Sequence, residues 1–236
     1  MELNKIYNIN CLEGMKQIPD KSIDMILCDL PYGTTQCKWD TIIPFEPLWA
    51  QYKRIIKDNG AIVLTASQPF TSLLIMSNIK DFKYCWEWDK KLSGNPLLAK
   101  YQPLKIHEDI CVFSSKTHKY YPIMRKGEMR TKGGGKSKLF DMEYSTYKSN
   151  EYYPTSIIEF SNAKRGLHPT QKPVALFEYL IKTYTNEGET VLDNCIGSGT
   201  TAIASINTGR FFIGFELDKG YYDIAIKRIE GKDYKG

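Results

Sequence analysis

Two short stretches of the chain hold residue types whose spacing suits chemistry. The first is Asp29-Leu30-Pro31-Tyr32. The Asp29 carboxylate and the Leu30 backbone carbonyl are close enough in sequence to accept hydrogen bonds from one amine. An exocyclic amine on a base is a poor nucleophile, because its lone pair is delocalised into the ring. Two acceptors return density to that nitrogen and aim it. Pro31 stiffens the backbone that positions them. Tyr32 offers a face to a base that has left its stack, returning about 1–3 kcal/mol against an unstacking cost of a few kcal/mol. Taken alone, the tetrapeptide also reads as a turn that ends a strand.

The second stretch is Asp193-Asn194-Cys195-Ile196-Gly197-Ser198-Gly199-Thr200-Thr201. An apolar run leads into it and a helical pattern leaves it. Gly197 and Gly199 permit positive φ and close approach of a ligand to the backbone. Glu216 follows about twenty residues later at the end of another apolar run, where a carboxylate can bind ribose hydroxyls. The spacing is not GxGxxG, and no GK[ST] follows. A nicotinamide dinucleotide and a nucleoside triphosphate are therefore poor fits, and another nucleoside-containing cofactor suits the loop better. A plain tight turn with an exposed Glu is the bland alternative.

These loops need elements to position them. Strand-like runs fall at 5–10, 23–28, 61–65, 83–88, 108–113, 190–193 and 211–216. Helical spacing falls at 12–18, 47–57, 70–78, 173–184, 200–207 and 221–229, and Asn59-Gly60 reads as the stop of the second helix. Such alternation predicts an α/β, doubly wound, mostly parallel sheet covered on both faces. Ligands then bind beyond the carboxyl ends of the strands, where both stretches fall. The 236 residues suffice for one substantial core with a small insertion.

Composition narrows the class. No apolar run approaches the roughly 20 residues that span a bilayer. The first ten residues lack a basic region followed by an apolar stretch, so a cytoplasmic location is expected. The six cysteines, Cys11, Cys28, Cys37, Cys85, Cys111 and Cys195, are scattered without a CxxC pair. A disulfide framework or a structural zinc is not expected, and the proposed chemistry needs no metal. The region from Ser114 to Arg165 is polar and has no clean period, which predicts an insertion at 115–165 with little regular structure. Eight basic residues lie there within a short span: Lys116, Lys119, Arg125, Lys126, Arg130, Lys132, Lys136 and Lys138. Only Glu128 opposes them, so the span nets +7 where the whole chain nets +5. This concentration suits a phosphate backbone; a solvated loop is the alternative. Lys38, just beyond Tyr32, is a further candidate for DNA contact.

In combination, DLPY at 29–32, HPTQKP at 168–173 and DNCIGSGTT at 193–201 resemble the β-class amino-methyltransferases of DNA. The resemblance covers nearly all of the chain outside about 115–165. It implies a Rossmann-like methyltransferase fold with circularly permuted motif order, the catalytic motif preceding the cofactor motif. The catalytic domain would comprise 1–114 and 166–236, with target recognition in the insertion. It implies that Asp29, Leu30, Pro31 and Tyr32 are catalytic. Asp193, Gly197, Ser198, Gly199 and Thr200 would surround the methionine part of S-adenosylmethionine, with Asp29 beside it. Glu216 would take the ribose, His168, Thr170 and Lys172 would approach the cofactor carboxylate, and Asn10 and Cys11 would lie near the adenine ring. The implied reaction is methylation of adenine N6 in duplex DNA, within a restriction–modification or phage setting. Cytosine N4, RNA, a protein amide and an inactive DNA-binding subunit are the alternatives. A homodimer is compatible with the resemblance. Two positions depart from the family pattern: Leu30 stands for the usual Pro, and Asn194-Cys195 for Pro-Phe.

Overall fold

The computed structural model describes residues 1–33, 40–93, 96–134, 145–162 and 171–231, and the backbone of 136–137 and 142–143. The chain runs β1 (Lys5–Tyr7), α1 (Cys11–Met15), β2 (Ile23–Asp29), α2 (Phe45–Ile55), β3 (Ile56–Ala66), α3 (Phe70–Ser77), β4 (Phe82–Asp89) and β5 (His107–Phe113). It continues through β6 (Arg125–Lys132), β7 (Lys136–Ser137), β8 (Met142–Glu143), β9 (Tyr147–Tyr152) and β10 (Ile157–Glu159). The last elements are α4 (Val174–Tyr184), β11 (Thr190–Asp193), α5 (Thr200–Asn207), β12 (Phe211–Phe215) and α6 (Lys219–Ile229). Two compact units result, one of Met1–Tyr121 with Ser156–Gly236, the other of Pro122–Thr155.

The first unit is built on one eight-stranded sheet in the order β1-β12-β11-β2-β3-β5-β4-β10. Every pairing is parallel except those of β5, which runs antiparallel to β3 and β4. The central strands read as unbroken apolar runs because both faces are buried. Their alternation splits them between two cores. Ile26, Cys28, Ile62, Leu64 and Leu192 face α2 and α3, meeting Trp49, Tyr52, Phe70 and Leu74. Met25, Leu27, Ala61, Val63 and Val191 face the other way, meeting Leu176, Phe177, Leu180 and Tyr184 of α4. Among the described residues, no helix is long and apolar enough to cross a membrane.

Two details differ from the sequence reading. Asn59-Gly60 does not stop a helix: α2 ends at Ile55, Ile56 is already extended, and the pair lies inside β3. Gly60 is needed for close approach, since a Cβ there would lie 2.7 Å from the Asp24 carbonyl, beside a register shift in β2. The expected insertion is also narrower and more regular than 115–165. Residues 115–121 and 156–162 belong to the first unit, where Tyr121 N–H donates to the Thr183 carbonyl and β10 extends the sheet beside β4. The second unit pairs β6 with β9 and β7 with β8, both antiparallel. The β6 residues are almost all exposed, so no apolar alternation marks this pair in the sequence. Cross-strand contacts serve in its place: Lys132 Nζ sits 3.7 Å from the centre of the Tyr152 ring, and Tyr152 Oη donates to the Glu128 carbonyl at 2.8 Å.

At the amino end of β2, buried Asp24 ties three segments together. It accepts from Lys57 at 2.8 Å, from Thr190 N–H at 3.1 Å and from Lys119 at 3.3 Å. Burial pushes its pKa up, but Lys57, the Thr190 N–H and Lys119 outweigh that and hold it below the ordinary value. Its stabilisation is therefore present above the unfolded carboxylate pKa and lost as pH falls through the lowered value. Asp24→Ala removes the acceptor of the Thr190 N–H and of Lys57 and leaves Lys119 to Glu189 alone, and should lower the unfolding free energy by about 1–2 kcal/mol. Urea denaturation at neutral pH measures this, and an unchanged midpoint would refute the tie.

Candidate active site

The sheet order brings the two chemical loops together. β2 and β11 are parallel neighbours, so Asp29 and Asp193 end adjacent strands at the same edge. Thr65 is the register partner of Asp29 on β3. β5, being antiparallel, starts at that edge and delivers Glu108 there.

Asp29 is the hub. Its Oδ1 accepts from Tyr32 Oη at 2.9 Å and from the Thr65 hydroxyl in a short contact. Its Oδ2 accepts from Lys172 Nζ at 2.7 Å. Tyr32 Oη and Thr65 Oγ1 are also 3.1 Å apart. Lys172 is buried, and Glu108 Oε2 lies 3.4 Å from its ammonium. Burial works against the charge on Lys172, but Asp29 and Glu108 outweigh it and raise its pKa. Burial, followed by the carboxylates of Asp29 and Glu108, holds the Tyr32 phenol well above its ordinary value. The Tyr32 ring stacks on Phe70 at 5.2 Å between centres, with 24° between planes. Leu30 anchors the loop by burying its side chain in the core.

The second loop is shaped from beneath. Asp193 is buried and accepts from Cys195 N–H at 3.0 Å and from the Thr201 hydroxyl. Burial pushes its pKa up to about 7. Gly197 and Gly199 have φ of +53° and +85°. A Cβ on Gly199 would crowd Ala225 at 3.2 Å, whereas one on Gly197 would meet nothing closer than 4.0 Å. Glu216 braces the turn, its two oxygens accepting at 2.8 Å from Gly197 N–H and Asp218 N–H. Arg228 reaches in from α6 and donates to the Ser198 carbonyl at 3.1 Å and to Thr200 Oγ1 at 3.3 Å. Ser198 Oγ lies 3.4 Å from Gln171 Oε1, and Thr200 Oγ1 lies 3.4 Å from the Lys172 carbonyl. The segment before α4 therefore touches both loops. Asn10 caps α1 by accepting from Leu12 N–H at 2.9 Å. Cys11 contacts Asn194 and Cys195, and Cys195 contacts Cys28. The contact with Cys195, followed by burial, keeps the Cys11 thiol protonated.

A family model described as DNA methylase, N6_N4_Mtase, matches residues 23–227. The chain belongs to this family. Type II methyltransferase M.HpaI of Haemophilus parainfluenzae is 27% identical over 94% of this chain and 73% of its own length. DNA adenine methyltransferase YhdJ of Escherichia coli (strain K12) is 28% identical over 97% and 83%. Among solved structures, the M1.HpyAVI–SAM complex superposes with a TM-score of 0.68 at 25% identity, covering 95% of this chain and 98% of that one. The cytosine-N4-specific PvuII DNA methyltransferase shares the fold, with a TM-score of 0.67 at 16% identity over 95% and 85%.

As a DNA methylase, the chain places its expected site residues in several settings. Asp29, Tyr32 and Lys172 meet directly. Asp193, Gly197, Ser198, Gly199, Thr200 and Glu216 build the adjoining loop. Lys172 donates to Asp29, and its carbonyl lies against Thr200 of the glycine loop. Lys119 differs most from expectation: its ammonium is held by Asp24 and Glu189 inside the first unit. Lys116 pairs with Asp58 at 2.6 Å. Arg125, Lys126, Arg130 and Lys132 lie along β6 of the second unit. Lys38, Lys138, His168, Thr170 and the Lys136 side chain lie outside the described residues. Thr65, Phe70, Glu108 and Arg228 were missed. An acid heading the apolar run Ile110–Phe113 was a signal for Glu108. Arg228 had none, because Lys227-Arg228 reads as a solvated helix end.

Asp193 gives a pH prediction. Its folded pKa, about 7, lies above the ordinary carboxylate value of about 4. Its contribution to stability is full below the unfolded value and is lost as pH rises through the folded one. Asp193→Asn should flatten that decline in Tm between pH about 4 and about 7, as read by thermal melts. A decline of unchanged steepness would refute the assignment.

Proposed function

We propose that this chain transfers a methyl group from S-adenosylmethionine to N6 of an adenine flipped out of duplex DNA. The arrangement that carries the reading is the Asp29 carboxylate beside Tyr32, one strand away from the glycine loop braced by Glu216. The loop suits the cofactor. The open side of Gly197 leaves room for a ligand, and each Glu216 oxygen retains lone pairs for ribose hydroxyls beyond its one backbone bond. The anionic Asp29 suits a neighbouring sulfonium. Bound there, S-adenosylmethionine supplies an electrophilic methyl whose bonding electron pair departs with sulfur.

The residues of the chain do the rest. Asp29 accepts from the amine, and the Leu30 carbonyl serves as the second acceptor, so the nitrogen lone pair is aimed rather than shared with the ring. The base stacks on Tyr32, whose ring Phe70 supports from behind. As the new N–C bond forms, the nitrogen becomes cationic and releases one proton, for which Asp29 is the adjacent acceptor. In-line displacement of this kind depends mainly on positioning. Arg125, Lys126 and Arg130, exposed on β6, serve as phosphate contacts, and such contacts position DNA without reading sequence.

Adenine is favoured by the acid that opens DLPY and by the likeness to the adenine methyltransferase of Escherichia coli. Purified protein is incubated with S-adenosylmethionine and mixed-sequence duplex DNA, and the methylated nucleosides are identified by mass spectrometry. N6-methyladenine is expected. Asp29→Ala should reduce it roughly a thousandfold, with cofactor binding retained in a thermal-shift assay. N4-methylcytosine would overturn the base assignment, and full activity of Asp29→Ala would overturn the mechanism.

A further inference from the structure

Glu108 is partly buried at the catalytic edge, and one of its oxygens makes no hydrogen bond. Its Oε1 accepts from Lys90 Nζ at 2.9 Å. Its Oε2 is buried and has no hydrogen-bond partner. Among the described residues, it is the one buried carboxylate oxygen in that condition. A buried acceptor left with only a long ion pair is unfavourable, so its position needs a reason. The nearest cation is Lys172, whose Nζ lies 3.4 Å from Oε2 while donating to Asp29 Oδ2 at 2.7 Å.

Asp29 is crowded in this state. A carboxylate offers about four acceptor positions, and Tyr32, Thr65 and Lys172 occupy three of them. The two hydroxyls can rotate away. The ammonium cannot leave for water, because Lys172 is buried, and a buried charge must keep an anionic partner. Glu108 Oε2, already 3.4 Å from the ammonium, offers that partner. Lys90, which donates to the other oxygen at 2.9 Å, keeps the acceptor in place.

We propose that Glu108 is a positioning residue that takes the Lys172 ammonium when a substrate amine engages Asp29, so that Asp29 Oδ2 is freed without leaving a buried charge unpaired. Glu108 itself touches neither substrate nor cofactor. The inference rests on the proposed role of Asp29.

The test compares Glu108→Gln, Lys172→Met and the double variant with the unaltered chain, under steady-state methylation of duplex DNA. Asp29→Ala is the control. In Glu108→Gln, Asp29 is the sole anion left for Lys172, so the ammonium stays where the amine must bind. The expected result is a ten- to hundredfold fall in kcat, with KM for S-adenosylmethionine and DNA within about threefold. The double variant should be no slower than Lys172→Met alone, since Glu108 acts through Lys172. A normal kcat in Glu108→Gln, or a loss that is additive with that of Lys172→Met, overturns the proposal. If Asp29→Ala is inactive while Glu108→Gln is normal, only the role of Glu108 falls. If Asp29→Ala is active, the reading of Asp29 falls and this one with it.

Discussion

A buried ammonium between two carboxylates is the constraint on which the active edge depends. Lys172 is closed off from water, and only the charges of Asp29 and Glu108 make that tolerable. Those charges come from elements far apart in the chain. Asp29 ends β2, Glu108 starts β5, and Lys172 precedes α4. The three meet only if β5 runs against its neighbours, because a parallel β5 would present Glu108 at the opposite edge. The single antiparallel strand of the sheet is thus tied to the chemistry.

The glycine loop obeys a different logic. Its backbone must stay open toward a ligand, so it is supported from the protein side. Asp193 holds the Cys195 N–H and the Thr201 hydroxyl, Glu216 holds the Gly197 N–H, and Arg228 grips Ser198 and Thr200. Nearly every side chain there fixes the shape of the turn. The segment carrying Gln171 and Lys172 lies against both this loop and Asp29. Movement in one loop is therefore felt in the other through a few hydrogen bonds.

The parts legible in the sequence are those that local patterns determine. DLPY and the glycine loop are contiguous, and the apolar runs of β2, β3 and β11 announce a sheet covered on both faces. Glu108 needed knowledge of strand direction, which no local window holds. Asn59-Gly60 misled because a glycine after a helical pattern usually caps it, whereas here it allows β3 to approach Asp24. The second unit misled because β6 is exposed on both faces, and a period of two appears in sequence only where one face is buried. Lys119 misled because charge counted along the chain does not reveal its partners: Asp24 and Glu189 come from distant segments.

The alternation along β2 has a consequence for how the family can change length. Met25 and Leu27 belong to one core, Ile26 and Cys28 to the other, and Asp29 follows in the same parity. Losing or gaining one residue within Met25–Asp29 would exchange the two sets and turn the carboxylate to the wrong face. The strand can therefore tolerate substitution of one apolar side chain by another, but not a single-residue insertion or deletion. A change in length that falls in the connections between strands leaves this parity, and so the facing of Asp29, untouched.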